Sequence, residues 1–243
     1  MPVDYSRMAQ DYDLVRGDEA TDQEFWLPAL VEAGQLAAGE RVLDVGAGTG
    51  RFSRLVGEFA RVVAVDCSRA MIDQARAKGT PNPVLGDAHA LPFRQDAFDA
   101  ALVVMVLHQL ADPRQAFREI ARVSRRVAVA TTDMRTRALG ILEEAFPSLL
   151  AIDRARFPPI EGIVAGLKDA GFRRVDVASR PYRRTLPVAR QLERVRRKYI
   201  STLDLLPPGE FDRGVAFLER ELPRRYGDTF ATSATFTFVG ASR

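Results

Sequence analysis

Apolar residues recur along this chain at two different spacings. Short, nearly unbroken runs such as Val42-Leu43-Asp44-Val45 and Val62-Val63-Ala64-Val65 are separated by stretches in which apolar side chains return every three or four residues. The first pattern predicts strands buried on both faces, and the second predicts amphipathic helices. Taken in order, a helix covers 21–37 through Phe25, Leu30, Val31 and Leu36, with Thr21 or Asp22 as its cap. Strand one is 41–45, a helix follows over about 50–59, and strand two is 61–65. Ser68 caps a helix that ends before Gly79, and a short strand lies near 83–85.

The run from Phe98 to Val106 reads as a doubly buried strand. Asp112-Pro113 opens a helix that continues to about 124, with proline in its first turn. Val127–Ala130 is a fifth strand, 161–170 a helix closed by Gly171, and 173–179 another strand. Thr229–Gly240 alternates as the last strand. Strand and helix alternating in this way predict an α/β fold, a Rossmann-like, doubly wound, mostly parallel sheet with helices on both faces.

Residues 181–228 interrupt the alternation. Val188, Leu192, Val195 and Tyr199 make one apolar helical stripe, and Phe211, Val215, Leu218 and Leu222 make a second after Pro207-Pro208. The segment reads as a helical lid over a site, or else as an excursion that completes the core. Residues 1–20 read as a short N-terminal helix and a loop.

Composition narrows the class. The 243 residues, 47% of them hydrophobic, suit one α/β domain with an insertion. No apolar run is long enough to span a bilayer, and the first residues lack the apolar segment of a signal peptide. A single cysteine, Cys67, leaves no internal disulfide and no cysteine metal cluster. A cytoplasmic protein, monomeric or homodimeric, is the expectation, and with only His89 and His108 as histidines no bound metal is expected. The net charge of +3 permits a nucleic-acid partner without demanding one.

The chemistry concentrates at the end of strand one. Residues 42–50 read Val-Leu-Asp-Val-Gly-Ala-Gly-Thr-Gly. Glycines at a strand-to-helix turn let a ligand approach the main chain, and the helix that follows points its N–H groups at that ligand. The spacing is G-x-G-x-G after an acid, Asp44. Arg51 stands where a dinucleotide fingerprint needs its third glycine, and nothing fits a phosphate-binding P-loop. A second acid, Asp66, ends strand two and is placed to hold a ribose diol.

These residues together resemble the class I methyltransferases that use S-adenosylmethionine (SAM), and among them the UbiE-type enzymes acting on small molecules. The resemblance covers about residues 38–180. It implies a seven-stranded sheet whose last strand is antiparallel. It also implies that Gly46, Ala47, Gly48 and Gly50 line the methionine part of SAM, while Asp44 helps hold its amino group. Asp66 would bind the ribose hydroxyls, Cys67 and Met71 would flank the adenine, and Asp87, followed by Ala88, would accept from the adenine amino group. The domain plan expected is N-terminal helices at 1–37 that cover the cofactor, a SAM-binding core at 38–180, the lid at 181–228 and the last strand at 229–243.

His108 follows the fourth strand, and ligands of open parallel sheets sit at the carboxyl ends of strands. It reads either as a base for an acceptor hydroxyl or amine, or as a histidine that packs in its loop. Tyr5, Tyr12 and Arg16 are candidates to close over SAM, with Tyr12 or Arg16 meeting its carboxylate and Tyr5 toward the acceptor; the alternative is a solvent-facing helix. Tyr199 and Phe211 are candidate walls for an apolar or aromatic small acceptor. The product would be S-adenosylhomocysteine (SAH).

Other functions weighed on the same residues are an RNA methyltransferase, a non-catalytic SAM-binding protein and a dehydrogenase. The segment 180–198 carries eight basic residues against one acid, Glu193, with tyrosines interleaved. An N-P-P-Y-type loop is absent after strand four, which weighs against an amino-directed nucleic-acid enzyme. A Tyr-x-x-x-Lys pair is absent, which weighs against a dehydrogenase.

Overall fold

The apolar runs lie side by side at the centre of the molecule, where both of their faces are covered. In the computed structural model, which describes residues 23–243, β1 (Arg41–Val45) is buried at four of its five positions. β4 (Phe98–Val104) is buried at six of seven. Because side chains alternate along a strand, these runs feed two separate cores. Leu43, Val45, Ala101 and Val103 point to one side, against Phe117, Ile120 and Leu167. Val42, Ala100, Leu102 and Val104 point to the other, against Trp26, Leu30 and Leu55. Trp26 and Leu30 belong to α1 (Gln23–Gly34).

The remaining elements follow in order: α2 (Arg51–Gly57), β2 (Arg61–Asp66), α3 (Arg69–Ala77), β3 (Pro83–Leu85), a 3-10 turn (Leu107–Gln109), α4 (Pro113–Val123) and β5 (Ser124–Thr131). Then come α5 (Ile141–Ala145), α6 (Leu149–Arg156), α7 (Ile160–Asp169), β6 (Arg174–Pro187), α8 (Val188–Arg196), a second 3-10 turn (Ser201–Leu205), α9 (Glu210–Tyr226) and β7 (Thr229–Ser242). The sheet has seven strands in the order β3-β2-β1-β4-β5-β7-β6. β1 to β5 pair in parallel, and β7 runs antiparallel to both of its neighbours. The expected doubly wound sheet with an antiparallel last strand is the one observed.

The helix starts carry the expected caps. Ser68 Oγ accepts from Met71 N at 3.4 Å, and the Asp112 carboxylate accepts from Gln115 N at 3.0 Å ahead of Pro113. The helix expected over 21–37 is observed as α1; its proposed cap at Thr21 or Asp22 lies outside the described residues, as do Tyr5, Tyr12 and Arg16.

Two expectations change. The segment 181–228 does not begin as a lid. Residues 181–187 continue β6, paired with β7 from Arg174↔Ser242 to Pro187↔Thr229. β5 reaches only to the Thr131↔Thr237 pair. The β6–β7 hairpin therefore projects past the carboxyl end of β5. The helical cover begins at Val188, and it does not stand alone. Ile141, Phe146 and Leu149, from a stretch that sequence patterning left unassigned, pack with Leu186, Val195, Leu203, Leu218 and Leu222 into a third core. That core is separate from the two that flank the sheet, so these helices do more than fill out the sheet's own packing.

Candidate functional site

The sheet order reverses at the β1–β4 boundary, the place where open α/β sheets hold their ligands. The turn after β1 is tied to β2 by its backbone: Gly46 N and Ala47 N both donate to Val65 O, at 2.8 and 3.0 Å. Its glycines serve different ends. A Cβ on Gly46 would lie 2.4 Å from Val106 Cγ2, and one on Gly50 would lie 2.1 Å from Thr80 Oγ1. Those two positions let chain segments approach closely. Gly48, at φ +56°, has nothing within 4 Å of where its Cβ would stand. It faces open space in a cavity of about 1150 Å³.

That cavity gathers most of the residues singled out in the sequence. Asp44, Gly46, Ala47 and Gly48 line it, with Asp66, Cys67 and Met71 from the β2–α3 connection. Asp87, Ala88, His108 and Tyr199 line it as well. Gly50 does not, because it is turned against Thr80 as the residue preceding α2. Phe211 is also off the cavity wall: it stacks on Phe146 at 6.1 Å, inside the third core.

The acids are held in distinct ways. Asp66 Oδ2 accepts from Gly48 N at 2.8 Å and Oδ1 accepts from Ser68 N at 2.8 Å. Burial raises its carboxyl, and the two N–H donors oppose that shift. A carboxylate offers about four acceptor positions, so Asp66 can tether the turn and still accept from a diol. Asp44 is 2% exposed and accepts from Ser53 Oγ at 2.6 Å. Burial pushes its carboxyl up to about 6, with the Ser53 hydroxyl opposing and the nearby Asp66 charge adding. Asp87 Oδ1 accepts from His89 N at 2.9 Å and lies 2.6 Å from His89 Nδ1. The backbone donor of His89 leads in holding its carboxyl below the usual value. Asp112 N donates to His89 Nε2 at 3.2 Å, which leaves the proton of the neutral ring on Nδ1, facing Asp87. Burial, then the charges of Asp66 and Asp87, push the Cys67 thiol up.

The set suits SAM. An open wedge stands at Gly48, where a side chain would intrude, and three carboxylates, Asp44, Asp66 and Asp87, line this side of the cavity for a ligand that carries an ammonium, a sulfonium and a diol. Among the described residues no group of three or more His, Cys, Asp or Glu could hold a metal ion. No helix among them is long and apolar enough to cross a membrane.

Beyond β4, Met105 turns the chain at φ +53°, an uncommon conformation for a residue with a side chain, and Val106 to Gln109 follow across the top of the sheet. His108 there stacks on Phe157, the residue after α6, with centroids 4.1 Å apart and planes 5° from parallel. The opposite wall comes from elements without sequence motifs: Arg137 before α5, Asp153 and Arg156 from α6, Arg194 from α8, Thr202 from the second 3-10 turn, and Tyr182 and Phe236 from the hairpin. Sequence reasoning missed these because they lie far apart in the chain: Tyr182 and Phe236 pack with α1 in the second core, and the others sit on elements joined through the third.

Comparison with known proteins finds likeness over the residues that form the glycine turn and its acids. Residues 43–129 match the family model described as a methyltransferase domain. Over these residues the chain is similar to class I, UbiE-type SAM methyltransferases. A demethylmenaquinone methyltransferase of Mycolicibacterium vanbaalenii is 37% identical over 123 residues, 50% of this chain and 54% of the relative. The UbiE C-methyltransferase of ubiquinone and menaquinone biosynthesis from Vibrio campbellii is 32% identical over 109 residues, 40% of this chain and 42% of the relative. The chain thus spans about half the length of the curated relatives it matches. A solved structure, described as a methyltransferase from an antibiotic biosynthesis pathway of Anabaena variabilis, superposes with a TM-score of 0.72 at 23% identity. That superposition covers 87% of this chain and 95% of the other. The likeness in fold thus covers most of the chain, while the sequence likeness to curated relatives covers only about half of it.

Proposed function

We propose that this protein transfers a methyl group from SAM to an oxygen, nitrogen, carbon or sulfur atom of a small acceptor with an apolar or aromatic body. The observation that carries the reading is the single cavity that runs from the glycine turn, with its acids, to the helical cover. Its volume of about 1150 Å³ exceeds the range of roughly 300–1,000 Å³ common for one ligand, which leaves room for a donor and an acceptor together.

Gly48 and Ala47 give the methionine end close access to the main chain. Asp44 meets its amino group, directly or through water, Asp66 holds the ribose and Asp87 takes the adenine amino hydrogen, with Cys67 and Met71 on the adenine. Bound SAM supplies an electrophilic methyl group on a sulfonium. The protein's part is mostly to align the acceptor and exclude water. His108 takes the proton of an acceptor hydroxyl or amine at Nε2, the nitrogen that lies 3.4 Å from Gln109 Nε2. The stack with Phe157 holds its ring.

A small acceptor is favoured over RNA because the basic stretch is largely committed. Arg180 pairs with Glu32, Arg196 with Glu219 at 2.6 Å, Arg197 with Glu193 at 2.6 Å and Lys198 with Asp204 at 2.8 Å. Guanidiniums in such pairs make a weak phosphate track. Calorimetric titration with SAM and SAH, followed by SAH release in the presence of candidate aromatic acceptors, tests the reading. Absence of SAM binding would overturn it, and binding without SAH release over a broad acceptor set would make this a non-catalytic SAM-binding protein.

A further inference from the structure

The charged side chains on the cavity wall are segregated. On the side of the glycine turn stand Asp44, Asp66 and Asp87, with Arg51. On the side of the helical cover stand three arginines, Arg137, Arg156 and Arg194, with one carboxylate, Asp153. The second group is withdrawn from solvent. Arg194 is 4% exposed and Asp153 7%, and the Arg156 side chain is 16% exposed. Arg137 Nε is shut off from solvent and has no hydrogen-bond partner among the described residues.

Asp153 is already engaged. Its Oδ1 accepts the Thr202 hydroxyl hydrogen and lies 4.0 Å from Arg156 Nη1. Arg156 in turn donates to Thr202 Oγ1 at 2.8 Å and to Ser201 Oγ at 3.3 and 3.4 Å. The lone acid thus faces Arg156, and no described residue on this wall brings a carboxylate to Arg137. Withdrawing a cation from water is costly unless an anion meets it. Around this charge the wall is apolar and aromatic, with Phe157, Tyr199 and Leu205.

We infer that the methyl acceptor is an anion: a small molecule with an apolar body and a carboxylate, held through that carboxylate by Arg137 and Arg156. The inference rests on the methyl-transfer reading above. A guanidinium fork suits carboxylate and phosphate alike, but Asp153 beside Arg156 repels a dianion more than a monoanion. Arg156 adjoins Phe157, whose ring stacks on His108. Anion subsite and proton acceptor are therefore linked through adjacent residues, and an acceptor anchored at one end is presented to His108 at the other.

The test uses the full protein loaded with SAH. Binding of para-hydroxybenzoate and of decanoate is compared by calorimetry with binding of their methyl esters, with phenyl phosphate as a further probe. At least one acid should bind about tenfold or more tightly than its ester, the difference expected for a charge-assisted hydrogen bond. Arg137→Gln, in a loop, and Arg156→Gln should each erase that preference with SAH affinity unchanged. Equal binding of acids and esters, binding of neither acid, or tighter binding of phenyl phosphate overturns the inference while SAH binding leaves the methyl-transfer reading in place. Failure to bind SAH sinks both.

Discussion

The backbone N–H of Gly48 donates to Oδ2 of Asp66 at 2.8 Å, so the tip of one strand holds the turn that follows its neighbour. The acid proposed for the ribose and the glycine proposed for the methionine end are thus one mechanical unit. Replacing Asp66 with alanine removes the tether and the ribose contact together. SAM and SAH affinity should fall by at least the roughly 1.5–3 kcal/mol of one charge-assisted hydrogen bond, about tenfold to a hundredfold. Calorimetry on the folded variant checks this, and an unchanged affinity would remove Asp66 from the site.

The glycines of the turn should separate by phenotype. Gly48→Val meets no atom within 4 Å but sits at φ +56°, where a side chain costs about 1–2 kcal/mol. The variant should fold with a modestly lowered Tm and lose SAM binding, because its side chain enters the cavity. Gly46→Ala should lose chiefly stability, since its Cβ would lie 2.4 Å from Val106 Cγ2. Thermal melts alongside SAH titration read both effects. Normal SAM binding by Gly48→Val would mean that the turn is structural only.

How far the sequence showed this site depends on how local each signal is. Gly46, Gly48, Asp66, the Ser68 cap and the Asp112-Pro113 helix start are each written within a few residues, and each stands where the patterning puts it. The length of β6 was hidden because Pro181, Arg183, Arg184 and Pro187 look like a break. An edge strand tolerates proline and charge, and β6 is at the edge of the sheet. The helices of 141–156 are five and eight residues long, too short for a periodicity to emerge. The acceptor wall was invisible for a further reason: Arg137, Arg156 and Thr202 converge only after the third core has formed.

Binding should depend on pH through Asp44. Its folded carboxyl is raised from 3.8 to about 6 by burial, so the folded apoprotein takes up a proton that the unfolded chain has released. Its contribution to apoprotein stability is therefore fully present below the unfolded value of 3.8 and is lost as pH rises through about 6. A ligand ammonium near this carboxylate favours the charged form. SAM affinity should therefore rise with pH through about 6 and level off above it. Asp44→Asn should flatten that rise, and Ser53→Ala, which removes the 2.6 Å hydrogen bond to the carboxylate, should move the midpoint upward. Titrations of SAH across this range check it; a wild-type affinity that stays flat, or falls, with rising pH would place the ligand's amino group elsewhere.

His108 should matter to turnover and not to cofactor binding. His108→Gln keeps a polar side chain but removes the titratable ring and the stack on Phe157. With a hydroxyl or amine acceptor, kcat should fall by about 10²–10⁴, the usual worth of a positioned base, while SAH affinity stays near that of the wild type. Raising pH should partly restore the variant's rate, since a more basic solution deprotonates the acceptor directly. A rate loss that pH does not relieve would make His108 a packing residue of its loop.

The helical cover should choose the acceptor and gate its entry. Its unit is not the segment 181–228, because 181–187 is sheet, and the helices from Val188 onward share a core with Ile141, Phe146 and Leu149. Deleting only 188–228 would strip that core and expose Leu186 and Phe146, so the informative variant exchanges 141–156 and 188–228 together for those of a relative with a known acceptor. The two segments form their own apolar cluster, separate from the cores that flank the sheet, so the exchange should leave SAH affinity within a few fold. The native acceptor should lose turnover, and the relative's acceptor should gain it. Hydrogen exchange should slow in α6, α8 and the second 3-10 turn only when SAH and acceptor are both bound, as a cover that closes over a filled site requires. A folded chimera that methylates the native acceptor at the original rate would show that these helices pack beside the reaction without selecting for it.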